Sequence, residues 1–197
     1  MSRGRHREFD EQVALERAME VFWRNGYSGT SLSQLTDAMS VNRPSLYGAF
    51  GNKEQLFVRA LNAYISRYGA PHMDRLRASG APLRIRVKNY LDSIAQMLSD
   101  PQLPGGCLVA SSTCEAGGDY LPVEARQAVE QINAGTRGAL IDFFQAEAAD
   151  GNLRIAASPE ALADYLLALQ YGLAVMARSG AGRDALGRVI EAAASQL

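Results

Sequence analysis

Hydrogen-bond donors recur between positions 30 and 57, in the segment TSLSQLTDAMSVNRPSLYGAFGNKEQLF. Guanidinium, ammonium and hydroxyl groups are the donors that proteins present to the phosphate oxygens and base edges of DNA. Gly48 and Ala49 are small enough to let a helix approach a groove closely. The segment therefore predicts contact with a double-stranded DNA operator through these residues: Thr30, Ser31, Asn42, Arg43, Pro44, Ser45, Tyr47, Gly48 and Lys53.

The polar side chains of this segment have different expected roles. We expect Arg43 to contact a base or a phosphate, and Ser45 and Tyr47 to contact a phosphate or a base edge. Lys53 would lie in the first turn of a helix, where its ammonium and the free backbone N–H groups can meet one phosphate. Further donors to the sugar-phosphate chain are expected from Thr30 and Ser31.

Two short amphipathic helices joined by a tight turn would position these side chains. In the first helix Leu32, Leu35 and Met39 recur at helical spacing, and Thr30 or Ser31 can cap its start. The second helix follows the turn, and its cap, its first-turn proline and its inward-facing residues are Asn42, Pro44, Leu46 and Phe50. This arrangement predicts a helix-turn-helix whose second helix enters a major groove.

Helices are also predicted on either side of this pair. One covers about residues 10 to 25, upstream of the pair. The other starts with a capping box formed by Asn52 and Gln55 and ends before Gly69 and Pro71. We place a hinge at that point because the composition changes there.

The N-terminal third of the chain carries a specific set of residues at fixed spacing: Phe22, Trp23, Gly26, Tyr27, Thr30, Pro44, Ser45, Leu46, Tyr47, Phe50, Lys53, Glu54 and Leu56. In this respect it resembles the TetR/AcrR family of bacterial transcriptional regulators. The resemblance covers about residues 10 to 64, and the rest of the chain agrees only in length and helical character. It implies a homodimeric regulator, most often a repressor, that a small-molecule effector releases from a palindromic operator. Ser40 stands where the turn of the family usually has glycine.

The fold class predicted for the whole chain is all-α, because no sustained alternation of β-branched residues occurs. Residues 1–52 would form the helix-turn-helix domain with a basic N-terminal arm (Arg3, Arg5 and Arg7), and residues 53–70 a connecting helix and hinge. Residues 71–197 would form a helical domain for effector binding and dimerisation. Its candidate helices cover residues 83–98, 107–116, 123–149, 161–178 and 184–196.

Composition narrows the function classes. A net charge of −1 argues against binding nucleic acid by bulk electrostatics, so binding would depend on the few donors above, with the basic arm and DNA shape supplying the rest. Two cysteines and no recognisable export signal favour the cytoplasm, and the most apolar stretch is interrupted by Asp164 and Gln170, so no membrane span is expected. The two histidines, His6 and His72, belong to no catalytic motif. We therefore expect no enzyme activity, cofactor or metal.

Two apolar stripes in the C-terminal part predict a homodimer. The helix over residues 161–178 is apolar on nearly every side, and the last helix also has a stripe at helical spacing. Two helices from each subunit would form a four-helix interface. The alternative is that both stripes pack inside one subunit. The expected interface residues are Leu162, Tyr165, Leu166, Leu169, Leu173, Leu186, Val189, Ile190 and Ala193.

Polar residues within apolar helices suggest a pocket for an unknown small-molecule effector: Tyr90, Gln96, Cys107, Thr113, Gln131, Gln170 and Tyr171. Cys107, at the expected start of a helix, is the better candidate for a reactive thiol, since a helix N-terminus favours a thiolate. The alternative for Cys107 and Cys114 is that both are small core residues. Two other functions stay open: a thiol-based electrophile or redox sensor using Cys107, and a helical protein-interaction module that does not bind DNA.

Overall fold

A computed structural model describes residues 10–153 and 156–196, and these residues form helices without a β-strand. The all-α prediction is confirmed. The basic arm, with Arg3, Arg5 and Arg7, lies outside the described residues. The α-helices are α1 (Glu11–Asn25), α2 (Leu32–Met39), α3 (Arg43–Phe50), α4 (Lys53–Tyr64), α5 (Ala70–Arg77), α6 (Leu83–Leu98), α7 (Leu108–Gly117), α8 (Val123–Ala149), α9 (Pro159–Arg178) and α10 (Arg183–Ala194).

Side-chain caps start all four helices of the head, which we define as α1 to α4. The Asp10 carboxylate accepts the backbone N–H groups of Gln12 and Val13, and the Asn42 side chain accepts from Ser45 N–H. Complete capping boxes start the other two helices, formed by Ser31 with Gln34 and by Asn52 with Gln55. These contacts satisfy backbone donors that the first turn of a helix leaves free. The choice left open for α2 is settled in favour of Ser31.

The turn between α2 and α3 is left-handed at Ser40, which has φ 56° and ψ 40°. A non-glycine residue in this conformation carries about 1–2 kcal/mol of strain. Arg17 on α1 donates to Ser40 Oγ at 3.2 Å and to the Ala38 carbonyl at 3.5 Å. The guanidinium of Arg17 therefore supports the strained turn from the neighbouring helix.

The helix that starts at Lys53 does not end before Gly69, so that prediction is wrong. α4 passes into a π-helical turn, Ile65–Gly69, which continues directly into α5. Proline cannot supply the N–H that a helix interior needs, but it is tolerated in a first turn. Because the π turn ends at Gly69, Pro71 falls in the first turn of α5. The helical backbone thereby continues through the position where we expected a hinge.

Two clusters of buried side chains hold the chain together. The first joins the head to the start of α7 and the first half of α8, through Leu108, Val109 and Val129. The second lies within the body, which we define as α5 to α10, and joins α6, the end of α8, α9 and α10. Trp23 is fully buried in the first cluster, and its indole N–H donates to the Gly106 carbonyl at 3.1 Å. α7 and α8 therefore belong to the packing of both parts.

Most of the expected dimer-interface residues are buried inside one subunit, so their assignment to the subunit surface is wrong. They pack into the second cluster, because the α9 and α10 stripes face α6 and α8 rather than solvent. The residues concerned are Leu162, Leu166, Leu173, Leu186, Ile190 and Ala193. Three others keep exposed surface: Tyr165, Leu169 and Val189.

Candidate nucleic-acid interface and effector cavity

α3 presents a continuous exposed face. Leu46 and Phe50 are buried against the rest of the head, while Arg43 and Gly48 are exposed and Tyr47 is 47% exposed. The face also carries Pro44 and Asn42, both exposed, and half-buried Ser45. A helix of two turns with small and donor side chains outward suits insertion into a major groove.

Neighbouring helices fix the position of α3. Arg59 on α4 donates to the Ala49 carbonyl at 2.8 Å, and its guanidinium lies 4.5 Å from the centre of the Phe50 ring. At the other end, Arg43 donates to Ser33 Oγ at 3.3 Å. Both ends of α3 are therefore tied to other elements of the head.

Lys53 is half-buried rather than freely solvated. Its ammonium lies 4.0 Å from the centre of the Tyr27 ring, and the Tyr27 hydroxyl donates to Glu54 at 2.7 Å. Burial lowers the pKa of Lys53 and outweighs the opposing effect of the Glu54 and Glu115 carboxylates. The ammonium of Lys53 therefore lies at the first turn of α4, beside the exposed face of α3, and is in contact with the Tyr27 ring.

Thr30 is 2% exposed, and its hydroxyl donates to the Gly26 carbonyl at 2.6 Å. The expectation that its hydroxyl serves the sugar-phosphate chain is therefore wrong, because that donor closes the loop between α1 and α2. Ser31 stays exposed, with its hydroxyl oxygen capping α2.

A cavity of about 370 Å³ lies between the head and the body, at the low end of the ~300–1,000 Å³ range of ligand pockets. The π turn, α5, α6, α8 and α9 form its walls. Apolar and aromatic side chains make up most of the lining, including Tyr64, Tyr68, Met73, Ile94 and Leu167. Such a cavity is suited to a small organic molecule.

The N-terminal part of the chain matches the family model "Bacterial regulatory proteins, tetR family" over residues 14–60, and the C-terminal part matches "Tetracyclin repressor-like, C-terminal domain" over residues 84–193. The chain belongs to the TetR family. It is therefore a DNA-binding transcriptional regulator.

Several transcriptional regulators resemble this chain over nearly its whole length. The HTH-type transcriptional repressor ComR of Escherichia coli (strain K12) is 30% identical over 189 residues, which are 94% of this chain and 87% of ComR. The repressor DhaR of Mycobacterium sp. (strain GP1) is 27% identical, covering 89% of this chain and 85% of DhaR. A cysteine variant of the TetR regulator CifR, solved with 26-bp operator DNA, superposes with a TM-score of 0.85, 34% identity and 98% coverage of each chain.

The cavity of this TetR protein contains four of the seven expected effector residues: Tyr90, Cys107, Gln170 and Tyr171. Gln170 donates to the Tyr90 hydroxyl, and the Tyr171 hydroxyl donates to Asn133 Oδ1 at 3.1 Å. Thr113 lies behind the wall, where its hydroxyl accepts from Asn133 Nδ2 at 3.0 Å. Gln96 and Gln131 are exposed outside the cavity, so their assignment to it is wrong.

Sequence reasoning missed other polar residues of the cavity, namely His72, Asn133 and Thr136. Pro71 led us to expect a helix end just before His72, and the continuous helix instead carries His72 into the cavity wall. Asn133 and Thr136 lie on the long helix α8, whose sequence contains several other polar residues. Asn133 and Thr136 lie three residues apart and therefore on one face of α8. This spacing could have identified them together as candidate cavity residues.

The two cysteines have different surroundings. Cys107 lies at the N-cap of α7 and lines the cavity, where the Tyr64 hydroxyl donates to its sulfur at 3.4 Å. Cys114 is exposed. Cys114 is therefore not a core residue, and Cys107 is only partly buried, so the hypothesis that both are small core residues fits neither of them fully.

Residues 10–153 and 156–196 contain neither a membrane-spanning helix nor a candidate metal centre. No helix there is long and apolar enough to cross a membrane. Those residues also contain no group of three or more histidine, cysteine, aspartate or glutamate side chains placed to hold a metal ion.

Proposed function

We propose that this TetR protein is a repressor that binds a palindromic operator as a dimer, acts in the cytoplasm, and leaves DNA when a small-molecule effector occupies the cavity. The observation that carries the proposal is the exposed face of α3, held at both ends by Arg59 and Ser33. Support also comes from CifR, whose cysteine variant was solved with operator DNA, and from ComR, which is named a transcriptional repressor. Two α3 helices would read half-sites roughly 34–36 Å apart, or a multiple of that distance.

The dimer interface that we propose uses the outer face of α9 instead of its inner stripe. Exposed small and apolar residues recur along that face at steps of four and three positions, which makes a straight strip on a helix. The strip consists of Ala161, Tyr165, Ala168, Gly172 and Val175. Val175 is 61% exposed in the single subunit, and a second copy of α9 would cover it.

The dimer proposal can be tested with Gly172→Arg, because Gly172 is exposed and a Cβ atom added there meets nothing within 4 Å in the single subunit. We expect the variant to fold and to sediment as a monomer at concentrations where the unmodified protein is a dimer. Ala148→Arg, on an exposed position of α8, is the matched control and should stay dimeric. A dimeric Gly172→Arg protein would contradict the proposed interface.

α4 and α7 could transmit effector binding to the head. α4 begins at Lys53 beside the interface and reaches the cavity at Tyr64. α7 begins at the cavity, and its Glu115 carboxylate accepts the backbone N–H groups of Tyr27 and Ser28 at 2.9 and 3.0 Å. An effector that binds one spacing of the two heads better than the other would shift the population toward that spacing.

Selection from random duplex DNA tests the proposed function most directly. The purified protein is incubated with the duplexes and the retained sequences are read. A recovered palindrome is expected, because a two-fold symmetric dimer contacts two equal half-sites. Retention of no defined sequence would reject operator binding and favour a protein-interaction module.

A second candidate function, thiol-based sensing by Cys107, is favoured by the position of its sulfur in the cavity wall beside the Tyr64 hydroxyl. Substitution of cysteines in the operator-bound form of CifR, a protein 34% identical to this chain, fits the same idea. The test is to titrate the operator complex with the alkylating agent N-ethylmaleimide. Release should be lost in Cys107→Ser and kept in the matched control Cys114→Ser, and equal release in both variants would reject the role of Cys107.

A further inference from the structure

One imidazole nitrogen in the cavity wall has unused hydrogen-bonding capacity. His72 Nε2 is buried and has no hydrogen-bond partner among the described residues. The other ring nitrogen, Nδ1, lies 2.8 Å from Ser93 Oγ. Because buried polar atoms are nearly always paired, an unpaired one on a residue that lines a cavity marks a place for a ligand group, which would reach it once the ring turns toward the cavity.

Neighbouring hydrogen bonds determine which protons His72 carries. Ser93 Oγ lies 2.7 Å from the Tyr90 carbonyl oxygen, which can only accept, so the single hydroxyl proton of Ser93 points there. Ser93 Oγ must therefore accept from His72, and Nδ1 carries the ring proton. Burial, assisted by the charge of Arg75, lowers the pKa of His72 to about 4, so the ring is neutral near pH 7. It follows that Nε2 has no proton and is an acceptor.

The remainder of the lining excludes a charged ligand. None of the described cavity residues is an aspartate, glutamate, lysine or arginine. Burial raises the pKa of Tyr90, which keeps its phenol neutral. A carboxylate or phosphate in this cavity would lose its hydration without gaining a counter-charge, and the cost of that loss is high. The cavity therefore favours a neutral molecule.

We infer that the effector is an uncharged, largely apolar alcohol or phenol whose hydroxyl donates to His72 Nε2. This inference rests on the proposed function, because it names the ligand class of the proposed effector cavity. The apolar lining would hold the hydrocarbon part, and the imidazole would orient the hydroxyl. The neutral Tyr90–Gln170 pair supplies a second polar contact for a molecule with another oxygen.

Binding of three matched probes to the full-length protein tests the inference. The probes are β-naphthol, β-methylnaphthalene and β-naphthoate, which differ only in carrying a hydroxyl, a methyl or a carboxylate group. Equilibrium dialysis at pH 7 measures the Kd of each for the unmodified protein and for His72→Phe, which removes the acceptor but keeps a ring. Met73→Leu is the matched control, since Met73 lines the same cavity and its side chain makes no hydrogen bond to the described residues.

We expect the affinity ratio of naphthol to methylnaphthalene to fall about tenfold in His72→Phe, because the hydroxyl would then be buried without a partner. The ratio should stay unchanged in Met73→Leu, and naphthoate should not bind measurably to the unmodified protein. An unchanged ratio in His72→Phe would overturn the inference. If His72→Phe does not fold, tighter binding of naphthoate than of naphthol to the unmodified protein overturns it instead. Failure of naphthol to bind the unmodified protein also overturns it.

A separate measurement distinguishes this inference from the proposed function. Release of the selected operator by each bound probe is followed by fluorescence anisotropy. Release without preference for the hydroxyl would overturn the ligand class and leave effector regulation in place. Selective binding of naphthol without release would keep the ligand class and reject this cavity as the regulatory site.

Discussion

The head and the body of this TetR protein are built by different means. In the head, each of the four helices starts with a side-chain cap provided by a residue next to the helix. Of the described body helices, α9 alone has such a cap, provided by Ser158, and α5, α6, α7, α8 and α10 start without one. The head thus has its helix ends specified locally, while the body depends on packing between distant segments.

Beside the shared apolar cluster, several hydrogen bonds that join the two parts run from side chains to backbone atoms. Arg178 of α9 donates to the Arg24 carbonyl at 2.8 Å and to the Trp23 carbonyl at 3.3 Å. Glu115 accepts the N–H groups of the loop that follows α1. Because every residue type has the same backbone atoms, no sequence pattern predicts these contacts. A DNA-reading surface can therefore be specified by a short segment, whereas its connection to a cavity cannot.

The largest effect, on the free energy of unfolding, is expected when a substitution breaks a long-range polar contact of the body. Arg86 and Glu147 form a buried ion pair, and Asn152 also donates to the Glu147 carboxylate at 3.0 Å. Arg86→Met should lower the free energy of unfolding by about 3–5 kcal/mol, because Glu147 would stay buried without its cation. Urea denaturation measures the loss. The double variant Arg86→Met with Glu147→Leu should recover most of it, and equal loss in both would contradict this explanation.

The next effect concerns the exposed face of the head. Arg43→Ala should weaken operator binding by about 1–3 kcal/mol if the guanidinium reads a guanine, and it should relax the preference at one position of each half-site. Anisotropy titration with single-base operator variants measures both. Arg84→Ala removes a cation that is also exposed, from α6, and should leave the affinity unchanged. Equal operator affinity of Arg43→Ala and the unmodified protein would contradict the proposal that α3 contacts the operator.

A smaller effect tests the local strain of the head. Ser40→Gly should raise the free energy of unfolding by about 1 kcal/mol relative to Ser40→Ala, because both lose the hydroxyl that accepts from Arg17 and glycine alone relieves the left-handed strain. Thermal denaturation of the two variants measures the difference. Equal stability would mean that the turn stores no strain at Ser40.

The smallest effect is expected at Lys53, whose ammonium is already in contact with Tyr27. Lys53→Met keeps the aliphatic stem but removes the charge, so the slope of log K against log salt should flatten by about 0.9 for one lost phosphate contact. The loss should be similar on every operator sequence, in contrast to Arg43→Ala. An unchanged slope would show that the Tyr27 contact holds Lys53 away from the phosphate.

The sequence alone determined the head. Caps lie within three residues of the groups that they satisfy, so Asn42 and Asn52 could be recognised as helix starts from their spacing, and the cap of α2 was narrowed to Thr30 or Ser31. The inward positions Leu35, Leu46 and Phe50 followed from helical period, and the structure confirms that they are buried. Thr30 was the exception, because its hydroxyl bonds to a carbonyl in a loop whose shape has no sequence signature.

Tertiary structure alone decided the cavity and the orientation of α9. A helix that is apolar on nearly every side has no unique inner face in its sequence, so the packing of α6 and α8 selected which α9 stripe became core. The cavity combines segments far apart in the chain, and His72 reached it only because a π turn let the helix continue past Gly69. Local hydrogen bonds connect residues that are a few positions apart in the chain, whereas the burial of a side chain depends on all its neighbours at once. For that reason the sequence predicted the structure of the head better than that of the body.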